Sequence, residues 1–270
     1  MATILCESGS FLFKKKSYMQ VSSFCQSQRA APILAIPGSQ DRGIPYLLEP
    51  RVTLVRNPHV AVRWNPVAGV QRYQLWLIRL RDRHLLWGSE VLNAAHTTLP
   101  LKLALEPGEK YRLVVEADNG TSSQFEPGNA NLRFGLLPQV ETQLLDRDLE
   151  EIRSLQSIDV PSKSITLLQA TALEQRGLIA EAIALLELQE QSDPSLEGQL
   201  QLGRLANRQG LNQQAVAYYQ RAATLAQTVG DQDARAIALA GKTLSEHLAS
   251  CATADPRTSK ARTCILPAPQ

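Results

Sequence analysis

The sequence has no long run of apolar residues. Its 270 residues are 44% hydrophobic and 20% charged, which is ordinary for a globular protein and too apolar for a chain disordered throughout. A membrane-spanning helix needs about 20 consecutive, mostly apolar residues, and no stretch approaches that length. We therefore expect no integral membrane segment and a chain long enough for two ordinary domains.

Histidine and cysteine are scarce, with four residues of each type. No cysteine pair has the spacing of a zinc knuckle, and no histidine has a partner at metal-ligand spacing. We interpret the cysteines as incidental residues of the chain ends, and we expect the histidines in or beside strands to lie at the surface. The sequence predicts no metal site and no cofactor. The cysteines are Cys6, Cys25, Cys251 and Cys264, and the histidines near strands are His59, His84 and His96.

Motifs of catalysis are also lacking. Gly198 and Gly203 are isolated in helical segments rather than clustered in a phosphate-binding loop, and no Gly-x-Ser-x-Gly elbow occurs. The acidic residues between Asp146 and Glu151 fit the solvated face of a helix better than a general acid/base pair. We expect no catalytic residue and a protein that is not an enzyme.

Charge is divided between the two halves of the chain. The first 140 residues carry a net charge of +6 and residues 141–250 a net charge of −6, within an overall +2. A nucleic-acid-binding protein concentrates positive charge on one face or helix, and no segment does so strongly here. We expect no nucleic-acid partner.

The chain ends lack periodicity. Residues 1–47 and 251–270 are predicted to be disordered. Lys14–Lys16 and Ala30–Ala35 resemble the two ends of a signal peptide, but the segment between them is polar and lacks the required apolar core of about 7–15 residues. Residues 1–47 are thus at most an atypical targeting region, and the compartment stays open.

Residues 48–137 have the alternation of half-buried strands, separated by turn dipeptides such as Asn119-Gly120. The predicted strands are Arg51–Arg56, His59–Trp64, Tyr73–Leu80, His84–Trp87, Thr97–Leu105, Tyr111–Ala117 and Leu132–Leu136. Many short strands in about 90 residues indicate an antiparallel β-sandwich.

Two linked motifs resemble a fibronectin type III domain. Trp64-Asn-Pro, nine residues before Tyr73, is similar to that family's second and third strands, and the segment from Leu105 to Gly120 is similar to its sixth strand. The resemblance implies a tyrosine corner, in which the Tyr111 hydroxyl bonds to backbone near Leu105. On strand parity, Trp76 and Tyr73 face opposite sides of their sheet.

Residues 139–250 change to helical periodicity. A helix over 141–157 is followed by a repeat at an offset of 33 residues, which pairs Gly177 with Gly210 and Ala182 with Ala215. The repeated helix–turn–helix unit resembles a tetratricopeptide repeat. The helix at 141–157 and a last helix, Asp231–Ala249, are interpreted as caps because two such units bury too little surface alone.

The tetratricopeptide resemblance implies a groove lined by the first helix of each pair, with a peptide or partner helix as ligand. Arg204 and Arg208 lie four residues apart on one helix face, and arginine forks suit carboxylates. We expect this cluster to receive an acidic or C-terminal segment of a protein partner. The predicted groove residues are Thr171, Glu174, Gln175, Leu200, Arg204, Asn207, Arg208 and Lys242.

Three functions stay open at this point. The first is a protein–protein interaction scaffold or adaptor, because the domain pairing resembles bacterial envelope-associated proteins; this likeness alone suggests an extracytoplasmic location. The second is a carbohydrate-binding module that uses an exposed Trp76 or Trp87. The third is an accessory subunit of an enzyme.

Overall fold

The computed structural model describes residues 43–100, 102–126 and 132–252. In these ranges eight strands precede six helices, so the prediction of a β part followed by an α part is confirmed. The strands are β1 Leu47–Glu49, β2 Thr53–Val55, β3 Ala61–Trp64, β4 Tyr73–Arg79, β5 Leu85–Gly88, β6 His96–Thr98, β7 Lys110–Ala117 and β8 Arg133–Leu136. The helices are α1 Gln139–Ser154, α2 Ser162–Gln175, α3 Ile179–Ser192, α4 Leu196–Arg208, α5 Asn212–Val229 and α6 Gln232–Ala252.

The strands form two sheets. One has the order β1-β3-β6 and is antiparallel, and the other has the order β2-β8-β7-β4-β5. The second sheet is mixed and not purely antiparallel as the sequence predicts, because β2 runs parallel to β8. The other neighbouring strands in this sheet run antiparallel to each other. Inward residues of both sheets, among them Trp64, Leu75 and Leu113, share one apolar core.

Two core aromatic residues lie where the sequence places them. Trp64 is 2% exposed and contacts the edge of the Tyr73 ring, with 5.5 Å between ring centroids. The backbone N–H of Glu106 donates to the Tyr111 hydroxyl oxygen at 2.7 Å. That bond closes the loop before β7, so the predicted contact between Tyr111 and backbone next to Leu105 is confirmed.

Two strand predictions differ from the structure. The strand predicted over Thr97–Leu105 is shorter in the structure, where β6 covers His96–Thr98 and Leu99 N–H makes one more bond to the Val60 carbonyl at 2.9 Å. It ends there because Pro100 has no N–H to donate and Leu103 N–H bonds to the Pro100 carbonyl at 3.0 Å. Strand β1 was not predicted. Its neighbours Ile44 and Tyr46 are buried, in a stretch whose apolar residues do not alternate with polar ones.

The two helical hairpins, α2–α3 and α4–α5, turn in the same way. Gly177 and Gly210 have φ of 76° and 73°, a left-handed conformation that glycine adopts without steric cost. In each turn the residue after glycine donates its N–H five residues back, Leu178 to Leu173 and Leu211 to Ala206. The 33-residue sequence repeat is therefore also a repeat of backbone geometry.

Both hairpin turns contact the start of the β part. Leu54 N–H donates to the Gly177 carbonyl at 2.8 Å, and the Tyr46 hydroxyl donates to the Gly210 carbonyl at 2.9 Å. Burial raises the pKa of Tyr46 against the lowering effect of the Arg51 charge, which keeps this hydroxyl protonated. Tyr46 and Leu137 belong to the apolar core of the helices, so the sheets and helices share packed side chains.

Arg51 is fully buried at this junction and has an acceptor for each of its five N–H groups. Its Nε donates to the Gln209 carbonyl, and its Nη1 donates to the Leu47 carbonyl at 3.2 Å and to Glu126 Oε2 at 2.8 Å. Its Nη2 donates to the Tyr46 hydroxyl at 2.7 Å and to Glu126 Oε1. The Gln209 side chain returns a hydrogen bond to the Arg51 carbonyl at 2.8 Å. One guanidinium group thus joins β1, the segment after β7 and the α4–α5 turn.

Other expectations concern the chain ends and special residues. Residues 1–42 and 253–270 lie outside the described residues, and so do Cys6, Cys25 and Cys264. Cys251 lies in the last turn of α6 and forms a disulfide bond, contrary to the expectation of an incidental cysteine. None of the described helices has the length and apolar character needed to cross a bilayer.

We predict that Arg51→Met lowers the free energy of unfolding by about 3–5 kcal/mol, because it leaves the buried Glu126 carboxylate without its cation. Urea unfolding of the full chain measures the change. The matched control is Arg63→Met, which removes an exposed arginine paired with Glu49 and should cost less than about 1 kcal/mol. Equal losses in the two variants would contradict this assignment.

Candidate functional site

Helices α2, α4 and α6 run side by side in the same direction. Gln201 Nε2 lies 3.3 Å from Thr171 Oγ1, and Arg204 bonds to Glu174, so α2 and α4 contact each other at a constant offset of 30 residues. Between α4 and α6 the offset is 38, because Ser245 Oγ donates to Asn207 Oδ1 at 3.0 Å. Gly203 and Gly241, also 38 apart, both lie against the Tyr219 ring. When the residue number increases by the same amount along both helices of a contact, the two helices run parallel.

Combining the two offsets aligns Glu174, Arg204 and Lys242 in one row across the three helices. Lys242 lies one turn before Ser245, as Arg204 does before Asn207. The Lys242 ammonium group pairs with Glu246 at 3.0 Å. The first members of the two hairpins and the last helix therefore present one continuous face, which we call the α2/α4/α6 face and define by this row together with Thr171 and Arg208.

Glu174 is the buried centre of the α2/α4/α6 face. Its side chain is 8% exposed and accepts from Arg204 Nη1 at 2.5 Å, from Arg204 Nη2 at 2.6 Å, and from Arg208 Nη1. The guanidinium groups remain accessible, with side-chain exposures of 52% for Arg204 and 32% for Arg208. One carboxylate shared by two arginines leaves one positive charge in excess.

Tyr219 fills the space behind this face. A Cβ at Gly203 would lie 2.8 Å from the Tyr219 ring and one at Gly241 only 2.6 Å from it. Because the two glycines carry no side chain, α4 and α6 both approach the ring closely. Burial raises the pKa of Tyr219 despite the opposing effects of Arg204 and Asn207, so its hydroxyl stays neutral.

The predicted groove residues divide into two groups. Glu174 and Asn207 are buried and bond to neighbouring helices, and Leu200 packs against the apolar cores. The accessible residues are Thr171, Gln175, Arg204, Arg208 and Lys242, of which Gln175 and Arg204 are the most exposed. Sequence reasoning missed Gln201 and Ser245. Each lies three residues from a predicted groove residue on the same helix, which places it on the same face.

The tryptophans of the β part lie against protein. The Trp76 ring covers Gly88, whose absent Cβ would lie 2.6 Å from ring atom Cζ3, and its Nε1–H donates to Glu116 Oε2 at 2.8 Å. Trp87 packs against the core of the sheets. Tyr73 is in that core while Trp76 is on the opposite face of β4, as strand parity predicts.

A concavity lies between α1, α2 and α3. It has a volume of about 280 Å³ and is lined by Arg56, Leu149, Gln169, Leu173, Glu181, Ala184 and Leu185. Its charged groups neutralise each other, since Arg56 pairs with Glu181 at 2.7 Å and with Asp146 at 3.2 Å. Asp148 pairs with Arg176 at 2.7 Å, so two acids of the predicted solvated run bind arginines of neighbouring segments.

In the part of the chain that the structure describes, no group of three His, Cys, Asp or Glu side chains could hold a metal ion. His59, His84 and His96 are exposed, as predicted.

No protein-family model matches the sequence, and no curated protein matches it. The fibronectin type III and tetratricopeptide resemblances consequently stay predictions that rest on the residues themselves.

We predict that Glu174→Gln lowers the free energy of unfolding by about 1.5 kcal/mol, the lower end for hydrogen bonds to charged groups, because both arginines can be solvated instead. Urea unfolding provides the measurement. Glu150→Gln is the control, since its bond to Arg153 lies at the surface of α1, and it should change little. A loss no larger than in the control would show that Glu174 does not hold α2 against α4.

Proposed function

We propose that the chain is a non-enzymatic protein–protein interaction adaptor that binds an acidic peptide segment of a partner across the α2/α4/α6 face. In this proposal the two sheets form a fibronectin type III-like β-sandwich. The helices form a short tetratricopeptide-like array in which α2–α3 and α4–α5 are the repeats, and α1 and α6 are the caps.

Geometry of the turns supports the repeat assignment. Leu178 and Leu211 precede α3 and α5 with nearly equal backbone angles, φ −82° and ψ 56° against φ −84° and ψ 57°. Ala182 and Ala215 are both fully buried. Small residues at equivalent positions bring the helices of each hairpin close together, as stacked helical repeats require. The buried Trp64 and the Glu106–Tyr111 bond support the sandwich assignment in the same manner.

The observation that carries the function is the row of Arg204 and Lys242 beside Arg208 on parallel helices. Three cationic groups are accessible along one face, and Glu174 neutralises only one of the two guanidinium charges. A ligand carboxylate can approach the outer N–H groups of Arg204 without displacing Glu174 from its buried position. Charge-assisted, two-pronged contacts of this type favour acidic side chains or a chain terminus.

Rigidity of the α2/α4/α6 face favours binding. The turn at Gly177 is bonded to β2, and the turn at Gly210 is bonded to Tyr46 and, through Gln209, to Arg51. A face that is ordered before the ligand arrives loses less conformational entropy on binding. The β part therefore acts in this proposal as a support that fixes the two hairpins relative to each other.

We predict that the full chain binds members of an acidic peptide library, with free carboxyl termini, and that Arg204→Gln weakens the tightest of these complexes about tenfold or more. Fluorescence anisotropy at fixed ionic strength measures the affinity. Lys242→Gln should weaken binding as well, by a smaller factor, because Glu246 already pairs with this lysine.

Arg147→Gln on α1 is the matched control, since it removes the same charge from an exposed helical site away from the α2/α4/α6 face. It should leave the affinity within about twofold of the wild type. The proposal fails if no acidic peptide binds, or if Arg204→Gln and Arg147→Gln behave alike.

A further inference from the structure

The outer face of the five-stranded sheet carries arginines on adjacent strands. Along β7, Tyr111 and Leu113 point into the core of the sheets, so Arg112 lies on the opposite face. Along β8, Phe134 is in the core and Arg133 is exposed on the opposite face. Strand alternation thus places both guanidinium groups on the same side of the sheet.

Arg112 and Arg133 are direct cross-strand partners. Side chains in such pairs have their Cβ atoms about 4.5–5.5 Å apart, and like charges directly opposite each other are destabilising. Arg83, in the turn between β4 and β5, contributes a third positive charge. Burial, followed by the charges of Arg133 and Arg83, lowers the pKa of Arg112. Arg112 is therefore repelled by two further cations, its cross-strand partner Arg133 and the turn residue Arg83.

Other arginines of this sheet have carboxylate partners. Arg72 pairs with Asp118 at 3.2 Å, Arg79 with Asp82 at 2.8 Å, and Arg81 with Glu109 at 3.2 Å. Among the described residues, by contrast, no carboxylate lies within 4.0 Å of a guanidinium nitrogen of Arg83, Arg112 or Arg133. The arginines named elsewhere in this sheet thus have carboxylate partners, whereas these three do not.

The Nε atom of Arg112 is buried and has no hydrogen-bond acceptor among the described residues. A buried donor without an acceptor costs free energy. By comparison, every N–H group of the buried Arg51 has an acceptor. An anion seated between Arg112 and Arg133 would accept from their outer N–H groups and would relieve the repulsion between them.

We propose that Arg83, Arg112 and Arg133 form a binding site for a tetrahedral dianion, a phosphate or sulfate group, on the outer face of the five-stranded sheet. Three guanidinium charges match a dianion better than a single carboxylate, and a tetrahedral group offers enough oxygens to accept from several forks together. Lys110, two residues before Arg112 on the same face, adds to the positive potential. Exposed Leu85 pairs with Ile78, the cross-strand neighbour of Arg112, so an apolar surface adjoins the charges.

The test is isothermal titration calorimetry of the full chain with inorganic phosphate and, separately, with phenyl phosphate, both at constant ionic strength in chloride buffer. We expect binding of at least one of them at one site per chain. Arg112→Gln and Arg133→Gln should each weaken it about tenfold or more. Binding of both probes identifies a site for the free dianion, whereas binding of phenyl phosphate alone identifies a site for a phosphate ester with an apolar body.

Arg72→Gln is the matched control, because this arginine belongs to the same part of the chain but is paired with Asp118; its affinity should equal that of the wild type. Arg133 is exposed, so Arg133→Gln tests the site even if Arg112→Gln alters stability. The proposal is overturned if neither probe binds, or if both arginine variants bind as tightly as the control. The α2/α4/α6 face is made by other elements, so the result of this test does not depend on whether that face binds a peptide.

Discussion

The buried guanidinium group of Arg51 is the contact on which the arrangement of sheets and helices depends. A guanidinium group cannot lose its proton in a protein, so an arginine at 0% exposure must find acceptors for all five donors or destabilise the fold. Here the acceptors come from the β1 end, from Glu126 and from the α4–α5 turn. The hydrogen bonds that balance the buried charge of Arg51 therefore also hold the helices against the sheets.

Arginines at three places in the described residues differ in how their positive charge is balanced. Arg51 is buried and completely bonded, and its charge is balanced by Glu126. Arg204 and Arg208 share the carboxylate of Glu174 and stay partly accessible. Arg112 faces Arg133 with no carboxylate partner among the described residues. Arg51 holds the sheets and helices together. The unbalanced positive charge at the other two places motivates the two binding proposals.

Much of the architecture could be predicted because it rests on local patterns. Alternation identified β4 and β7, and the 33-residue repeat located both hairpin turns, since glycine adopts the left-handed conformation at Gly177 and Gly210 without steric cost. The junction could not be predicted, because nothing local distinguishes Arg51 from an exposed arginine and its partners lie up to 158 residues away. The contacts of the α2/α4/α6 face could be predicted only in part. Helical spacing put Arg204 and Arg208 on one face, but only the three-dimensional contacts reveal that Glu174 is already bound to both.

The most direct test uses the distribution of tryptophan. All three tryptophans, at positions 64, 76 and 87, lie in the β part, so their fluorescence reports the sheets, while far-UV circular dichroism reports mainly the six helices. Both signals are followed during urea unfolding of the full chain. If the Arg51 junction couples the two parts, the two transitions coincide within error. Two separate transitions, with the helices or the sheets unfolding alone, would contradict the account.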